Sequence, residues 1–330
     1  MTVTQFDEAK HNRDAGGKFA VKPHAEAEGV SLAAKPRGRS KEERRQYAME
    51  RAEQMRNQIE DEVEKLRDPE QWKSMLDFMR RFHHYSFSNQ LLIQRAYPGA
   101  QLTAGFRQWQ QRGRQVRKGE RGIPILGFAK KKKESAKDKA EEDLKASDYF
   151  VYHPTVTVFD IHQTDPIEGR EDAEMPLLPS RMNTPDPTDT FTKTQAHLEK
   201  EGWTVERRNI PGATDGYMDA NNKVIAVDAR LEGVDATKVL LHEAAHATLH
   251  TDLASAYHSD ENIRGLAEVE AESTAYVVAG AMGLDTKPYS IGYITGWAGR
   301  DKDAIRKSGE AVQRAAKTLI SAITEADDTN

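Results

Sequence analysis

Two histidines and a glutamate in the segment LLHEAAHATLH have the types and spacing of a metal-dependent hydrolase site. His242 and His246 are four residues apart, so on a helix both imidazoles project from one face and can bind a single ion. Glu243 lies beside them, where a carboxylate can take a proton from an activated water and pass it to a leaving amine. The H-E-x-x-H motif therefore predicts a Zn²⁺-dependent peptidase site with Glu243 as general base.

The motif has only three fixed positions, and in a chain with eleven histidines it also fits a chance match on a structural helix. The surrounding residues are mostly apolar, and two imidazoles and a carboxylate are costly to bury on such a helix without a metal. The residues alone leave the third ligand open among His250, His258 and an acid on the next helix. We expect His250 at the surface or at a helix end, because the third histidine of a metzincin-like site comes later.

The next helix, AEVEAESTAYVV, offers acids at the right spacing. Glu268 and Glu272 are one turn apart on one face. Glu268 can complete the zinc ligands, and Glu272 can accept a hydrogen bond from one of the zinc-binding histidines. The alternative is that both, together with Glu270, solvate an exposed face. The small apolar residues between them favour burial, and so the metal-site interpretation.

A second cluster of functional residues lies in the segment from Gly105 to Lys133, which has ten Lys or Arg residues and one acid, a local net charge of +9. Aromatic residues interleave with these cations, as in proteins that stack the bases of single-stranded DNA and neutralise its phosphates. The predicted DNA-binding residues are Phe106, Arg107, Trp109, Arg112, Arg114, Arg117, Lys118 and Arg121.

Ordinary structural roles compete with this hypothesis. Phe106 and Trp109 are three residues apart on a short helix, a spacing more often found in a core than on a stacking surface. The four lysines at 130–133 fit a solvated hairpin equally well.

Two further features are expected near the peptidase cleft. The segment KPYSIGYITGWAGRD contains Tyr293, a candidate to stabilise the developing oxyanion, although a core tyrosine fits the same pattern. The strand Lys223 to Val227 could offer an edge to an extended substrate.

Periodicity indicates the elements that must position these residues. Apolar residues at three- and four-residue intervals predict helices at 41–67, 72–81, 88–96, 104–112, 191–200, 235–251, 263–282 and 302–326. Alternating or β-branched runs predict strands at 122–129, 149–161, 203–207, 216–219 and 223–227, with a hairpin turn at 219–222. The fold class is α+β.

Composition divides this α+β chain into two domains. Residues 1–40 are polar and without periodicity, which predicts a disordered arm. Five prolines between Gln163 and Thr190 predict a linker at 166–190. The linker separates an N-terminal α+β domain at 41–165 from a mostly helical C-terminal domain with a small antiparallel sheet at 191–330.

Bulk composition limits the classes of protein. The chain has 330 residues, a net charge of −5 and no cysteine, which excludes disulfides and Cys-ligated zinc. No run has the length of a signal-peptide core or a membrane span, so we expect a soluble cytoplasmic protein without a membrane partner.

Several motifs together resemble a known family. HEAAHATLH followed by EVEAESTAYVVAGAMGLD resembles the ImmA/IrrE-type gluzincin metallopeptidases, and with SNQLLIQRAYP and GFRQWQQRGRQVRKGERGI it resembles the ArdC-type antirestriction proteins. The resemblance covers roughly residues 44–326. It implies a single-stranded-DNA-binding N-terminal domain, a metallopeptidase C-terminal domain, and metal ligands at His242, His246 and Glu268.

The resulting prediction is a zinc metallopeptidase that binds single-stranded DNA, cuts a protein or peptide substrate and protects mobile or phage DNA from host defence. Its activity could be latent or DNA-dependent. One alternative is a non-proteolytic coat protein with a structural zinc domain. Another is an ImmA-like protease that cleaves a repressor, which would not need the basic segment.

Overall fold

The computed structural model describes residues 40–136, 145–170, 187–212, 214–253, 260–284 and 301–325. Residues 1–39 of the predicted arm, most of the predicted linker, His258 and the segment containing Tyr293 lie outside the described residues. The backbone divides into two units, Met1–Arg45 and Gln46–Asn330. The proposed domain boundary near residues 166–190 stays a prediction.

From residue 40 on, the described part of the N-terminal half starts with three helices, α1 (Lys41–Lys65), α2 (Pro69–Phe82) and α3 (Phe87–Ala96). Their starts follow from capping residues. The Asp68 side chain accepts hydrogen bonds from the first backbone amides of α2, with Pro69 at its first position, and Ser86 caps α3 in the same way. A short helix, α4 (Phe106–Gln111), follows strand β1 (Thr103–Gly105).

Small sheets complete this half. They contain β2 (Arg114–Val116), β3 (Ile123–Leu126), β4 (Ala129–Lys132), β5 (Tyr149–Tyr152), β6 (Thr155–Asp160) and β7 (Thr164–Pro166). The order β1-β6-β3 forms a three-stranded antiparallel sheet, and β2-β7 and β4-β5 form two-stranded pairs. Helices and antiparallel strands thus coexist here as an α+β arrangement.

The C-terminal half contains α5 (Pro187–Lys200), β8 (Thr204–Arg208), β9 (Gly216–Asp219), β10 (Val224–Asp228), α6 (Gly233–Leu249), α7 (Glu261–Ala281) and α8 (Lys302–Glu325). The predicted hairpin joins β9 to β10, and the Asp219 carboxylate accepts the backbone amides of Asn221 and Asn222 in its turn. Strand β8 pairs with β10 in parallel, so the sheet order is β8-β10-β9. Helix α5 begins at Pro187, inside the segment predicted to be a linker.

The hydrophobic core is shared by both halves of the sequence. One cluster of buried residues includes Met55, Trp72, Leu240, Val277 and Leu319 from five different helices. At the contact between α2 and α7, the Trp72 indole donates a hydrogen bond to Ser273 Oγ at 3.1 Å, and Tyr276 OH donates to Asp77 Oδ1 at 2.6 Å. Because α7 also carries the predicted acids of the metal site, this packing helps to fix their position.

Helix α8 approaches α3 closely at a glycine. A Cβ added to Gly309 would lie 2.2 Å from Cζ of Phe87, whose ring packs against the glycine. Within the described residues, none of the helices combines the length and apolar composition needed to cross a bilayer.

Candidate metal centre and nucleic-acid surface

Helix α6 places the H-E-x-x-H residues on a rigid, well-packed element. Leu240, Leu241, Ala244 and Ala245 are fully buried on its core side. The same helix directs His242, Glu243 and His246 toward α7 and β9. Burial of the surrounding apolar residues therefore sets the angle at which the histidines leave the helix.

The predicted ligands come together in the fold. His242 Nε2 lies 3.1 Å from His246 Nε2, and the Glu268 carboxylate oxygens lie 3.3 and 3.5 Å from these two nitrogens. One potential ligand atom from each residue falls within 4.8 Å of the others. Two imidazole nitrogens and one carboxylate oxygen form a donor set that suits Zn²⁺ with an open fourth position. The chemistry of these residues therefore fits a metal ion.

Glu243 lies next to this donor set and is 8% exposed. Burial raises the pKa of its carboxyl group to about 7, and the charge of nearby Glu268 adds to the shift. A carboxyl group with a pKa near neutrality can accept and release a proton at physiological pH. The role of Glu243 as general base stays a prediction.

A cleft of about 380 Å³ opens beside Glu243. Its lining includes Asp215, Gly216, Lys238, His242 and Glu272. Gly216 belongs to β9, and a Cβ at this position would lie 2.4 Å from Val239 Cγ1 of α6. Glycine therefore permits the close approach of β9 to the helix that carries the site.

The sequence-based choice of a substrate edge was wrong. The strand at residues 223–227 is β10, which lies between β8 and β9 and is hydrogen-bonded on both sides. The edge strand beside the cleft is β9. A central strand is already paired on both sides, so an extended peptide beside the cleft would add at β9 and not at β10.

Glu272 contacts the free side of the first histidine. Its Oε2 lies 3.2 Å from His242 Nδ1, the relation expected from the one-turn spacing of Glu268 and Glu272. Burial alone would lower the pKa of His242, but hydrogen bonds to Glu268 and Glu272 raise it to about 10. Burial lowers the pKa of His246, which favours the neutral form that binds metals.

His250 lies at a helix end, one of the two places expected, but it is buried. It is the C-cap of α6, as a helix-end residue would be, but it is 4% exposed and not at the surface. Its Nδ1 lies 3.0 Å from His246 Nδ1, and its Nε2 lies 3.0 Å from Glu270 Oε2. Ser308 of α8 donates a hydrogen bond to the other Glu270 oxygen.

Sequence reasoning missed this chain of contacts. The sequence suggests only a solvating role for Glu270, yet its side chain is 13% exposed. The signal was present in the four-residue spacing from His246 to His250, which repeats the spacing from His242 to His246. No sequence pattern indicates the contribution of Ser308, because this residue lies 38 positions beyond Glu270.

In the basic segment the structure buries two predicted DNA contacts and pairs a third, Arg117, with carboxylates. Trp109 is fully buried, and its indole donates a hydrogen bond to Phe159 O at 2.9 Å, so it cannot stack on a base. Arg114 is 7% exposed and donates to Thr164 Oγ1 and to Thr164 O. Arg117 is exposed but bonded to Glu120 at 2.8 Å and Asp165 at 3.1 Å. These carboxylates compete with any phosphate for its guanidinium.

The remaining predicted residues stay at the surface. They are Phe106, Arg107, Arg112, Lys118 and Arg121. Phe106 is 46% exposed and contacts Phe159 edge to face, and the Arg112 guanidinium lies 5.5 Å from the centre of the Trp109 ring. Four exposed cations and one exposed aromatic ring could therefore meet a polyanion.

Comparison with known proteins finds a relative in a bacterial pathogen. An uncharacterized protein of Bacillus anthracis is 26% identical over 328 residues, which cover 86% of this chain and 54% of the relative. The chain thus spans about half the length of the curated relative it matches.

Among solved structures, the metal-free antirestriction ArdC protein of plasmid R388 superposes with a TM-score of 0.45 at 21% identity, covering 73% of this chain and 86% of that one. The Mn(II)-bound form of that protein gives a TM-score of 0.40 at 20% identity, with 72% and 89% covered. The family model that matches is the N-terminal domain of anti-restriction factor ArdC. Residues 45–159 of this chain, about a third of its length, match that domain family.

Proposed function

We propose that this chain is a Zn²⁺-dependent metallopeptidase that also binds single-stranded DNA, with an antirestriction role on mobile or phage DNA. The observation that carries the peptidase part is the convergence of His242, His246 and Glu268 beside a buried Glu243 at an open cleft. A structural metal site needs ligands but no general base, and the position of Glu243 therefore favours hydrolysis.

Zinc bound to these three residues would polarise a substrate carbonyl and make water nucleophilic near neutral pH. Glu243 then accepts the proton of the attacking water on its carboxylate and delivers it to the nitrogen of the leaving amine. The edge of β9 can hold the peptide in an extended conformation, since the strand lines the cleft through Gly216.

The contacts around the ligands give the protons definite positions. His246 can bind the ion through Nε2 as a neutral imidazole only if its proton is on Nδ1. That N–H donates to Nδ1 of His250, which leaves the His250 proton on Nε2, where it donates to Glu270 Oε2. Ser308 donates to the other oxygen of Glu270, so the donor and the acceptor of each hydrogen bond in this series are fixed. Glu272 orients the other ligand, His242, in the same way through its contact with Nδ1.

The DNA part of the proposal is supported by the domain match at residues 45–159 and by the exposed cations of the basic segment. A coat protein that protects DNA without proteolysis is the second candidate, because the exposed cations alone would serve it. An ImmA-like repressor protease is favoured less, since it does not need a basic surface.

The deciding experiment compares wild type with Glu243→Ala. We expect the variant to retain zinc and DNA binding and to lose all cleavage in a proteome-wide search for new peptide termini, run with and without single-stranded DNA. Glu261→Gln, at an exposed acid of α7, is the matched control and should cleave normally. If wild type holds zinc but yields no new termini under either condition, the peptidase proposal is wrong. Protection of DNA that survives Glu243→Ala would favour the coat protein.

A further inference from the structure

The β4–β5 pair forms a ribbon with little cover on either face. Its residues are all exposed or half-buried, and the rings of Phe150 and Tyr152 are 60% and 43% exposed. Phe128, just before β4, is 65% exposed. A two-stranded hairpin that buries so little is marginal by itself, and clustered exposed aromatic residues are typical of interaction surfaces.

The strand register sorts the side chains into two faces. Phe150 and Tyr152 are two residues apart, so they share one face, and their rings are nearly parallel with centroids 6.3 Å apart. Lys131 pairs directly opposite Phe150 and belongs to the same face. On the other face Lys130 pairs with Val151, and its ammonium group lies 5.6 Å from the centre of the Phe128 ring. Each face thus combines aromatic surface with a lysine.

We infer that this aromatic ribbon, residues 128–133 and 149–152, is a binding site for single-stranded nucleic acid. Bases stack on Phe150 and Tyr152, and phosphates contact Lys131 and Lys133, which strand alternation places on the same face. The inference rests on the proposed DNA binding and assigns it to residues other than the eight DNA contacts predicted from sequence, although Phe128 and the lysines belong to the same basic segment. Parallel exposed rings can stack consecutive bases without reading their sequence.

The positive charge of the ribbon favours single-stranded nucleic acid over a second copy of this chain. Lys130, Lys131 and Lys133 are exposed and close together in the ribbon, and such a concentration of positive charge favours binding of an anion. A second copy of the same ribbon would bring lysines against lysines. A polyanion with flat apolar groups complements both features at once.

The test uses the full chain and a fluorescently labelled 20-residue oligo(dT), with binding measured by anisotropy at several salt concentrations. The double variant Phe150→Ala/Tyr152→Ala should bind at least about fivefold more weakly, because each stacked base contributes strongly to affinity. Its salt dependence should be unchanged. Tyr47→Ala, which removes another exposed aromatic ring, is the matched control and should bind like wild type.

The double variant Lys131→Ala/Lys133→Ala should instead flatten the slope of log affinity against log salt by about 0.7 for each phosphate that the lysines no longer neutralise. Lys307→Ala on α8, also exposed, is its control. Circular dichroism and zinc content must match wild type in every variant. An additional variant, Phe150→Trp with Tyr152 unchanged, keeps both stacking rings. It should bind oligo(dT) more tightly than the double alanine variant, and oligo(dT) should quench its tryptophan fluorescence.

Three results would overturn the inference. Unchanged affinity in folded ribbon variants, with wild type still binding oligo(dT), would reject the ribbon and leave the proposed DNA binding intact. A change in sedimentation without a change in DNA affinity would make the ribbon a self-association surface. If the ribbon variants lost binding to anionic phospholipid vesicles but not to oligo(dT), the ribbon would be a membrane contact. Failure of wild type to bind oligo(dT) would instead reject the DNA part of the proposed function.

Discussion

The metal centre and the basic segment differ in whether residues that are close in sequence also act together in the fold. At the metal centre, ligands four residues apart on one helix meet an acid from the next helix, and each imidazole has a partner within 3.2 Å. In the basic segment, neighbours in sequence separate in space, since Trp109 and Arg114 are buried while Arg112 and Arg121 are exposed. Helical spacing thus specifies a site directly, whereas a surface depends on which side chains the fold leaves outside.

The largest expected effect breaks the metal centre itself. We expect about one zinc per chain in wild type and none in His246→Ala, because the change removes one of three ligands. Glu268→Gln should weaken binding. The measurement is metal analysis after dialysis against a weak chelator. Should Glu270→Gln lose zinc while Glu268→Gln keeps it, the ligand assignment would be wrong.

The second effect contrasts burial with binding in the basic segment. Trp109→Ala should destabilise the protein by about 3–5 kcal/mol, since a large, fully buried ring is removed together with its hydrogen bond to Phe159 O. Phe106→Ala, three residues earlier and 46% exposed, should change stability little. Urea unfolding measures both. Equal stability of the two variants would contradict the core position of Trp109.

A third, smaller effect concerns the ordering of the ligands. His250→Leu should weaken zinc binding by about ten- to a hundredfold, as expected for a residue that orients a ligand. The replacement leaves the His246 Nδ1 proton without its acceptor at 3.0 Å. Glu272→Gln should have a similar effect through His242. Competition with a fluorescent zinc chelator gives the affinities.

The melting temperature of each variant without metal shows whether the substitution acts on the orientation of the ligands or on folding. Ser308→Ala should lower zinc affinity less than His250→Leu, because Ser308 acts through Glu270. Wild-type zinc affinity in His250→Leu would show that the contact with His246 does not position the ligand.

The smallest effect compares two glycines. Gly216→Ala should destabilise by about 1–3 kcal/mol, because the new methyl group meets Val239 Cγ1 at 2.4 Å beside the cleft. Gly265→Ala, in the interior of α7 with no atom within 4 Å of the added Cβ, should stabilise by up to about 1 kcal/mol through helix propensity. Thermal unfolding of both variants measures the contrast, and the same sign for both would contradict the close approach of β9 to α6.

Much of the local structure could be predicted from sequence. The helix predicted at 263–282 corresponds to α7, Glu261–Ala281, because its apolar residues repeat at helical spacing and Asp260 caps its start. The hairpin at 216–227 follows from its turn residues. The parallel pairing of β8 with β10 could not be predicted, because the same alternating pattern fits either edge of the hairpin.

By itself, the sequence determined the helical spacing that brings His242, His246, Glu268 and Glu272 to facing surfaces of two helices. It also determined the local excess of positive charge. The tertiary structure alone decided that His250 and Glu270 are buried partners of the site, that Ser308 reaches them from α8, and that the ring of Trp109 packs inside. The physical reason is that periodicity fixes the neighbours of a residue along one element, whereas burial depends on which other elements pack against it.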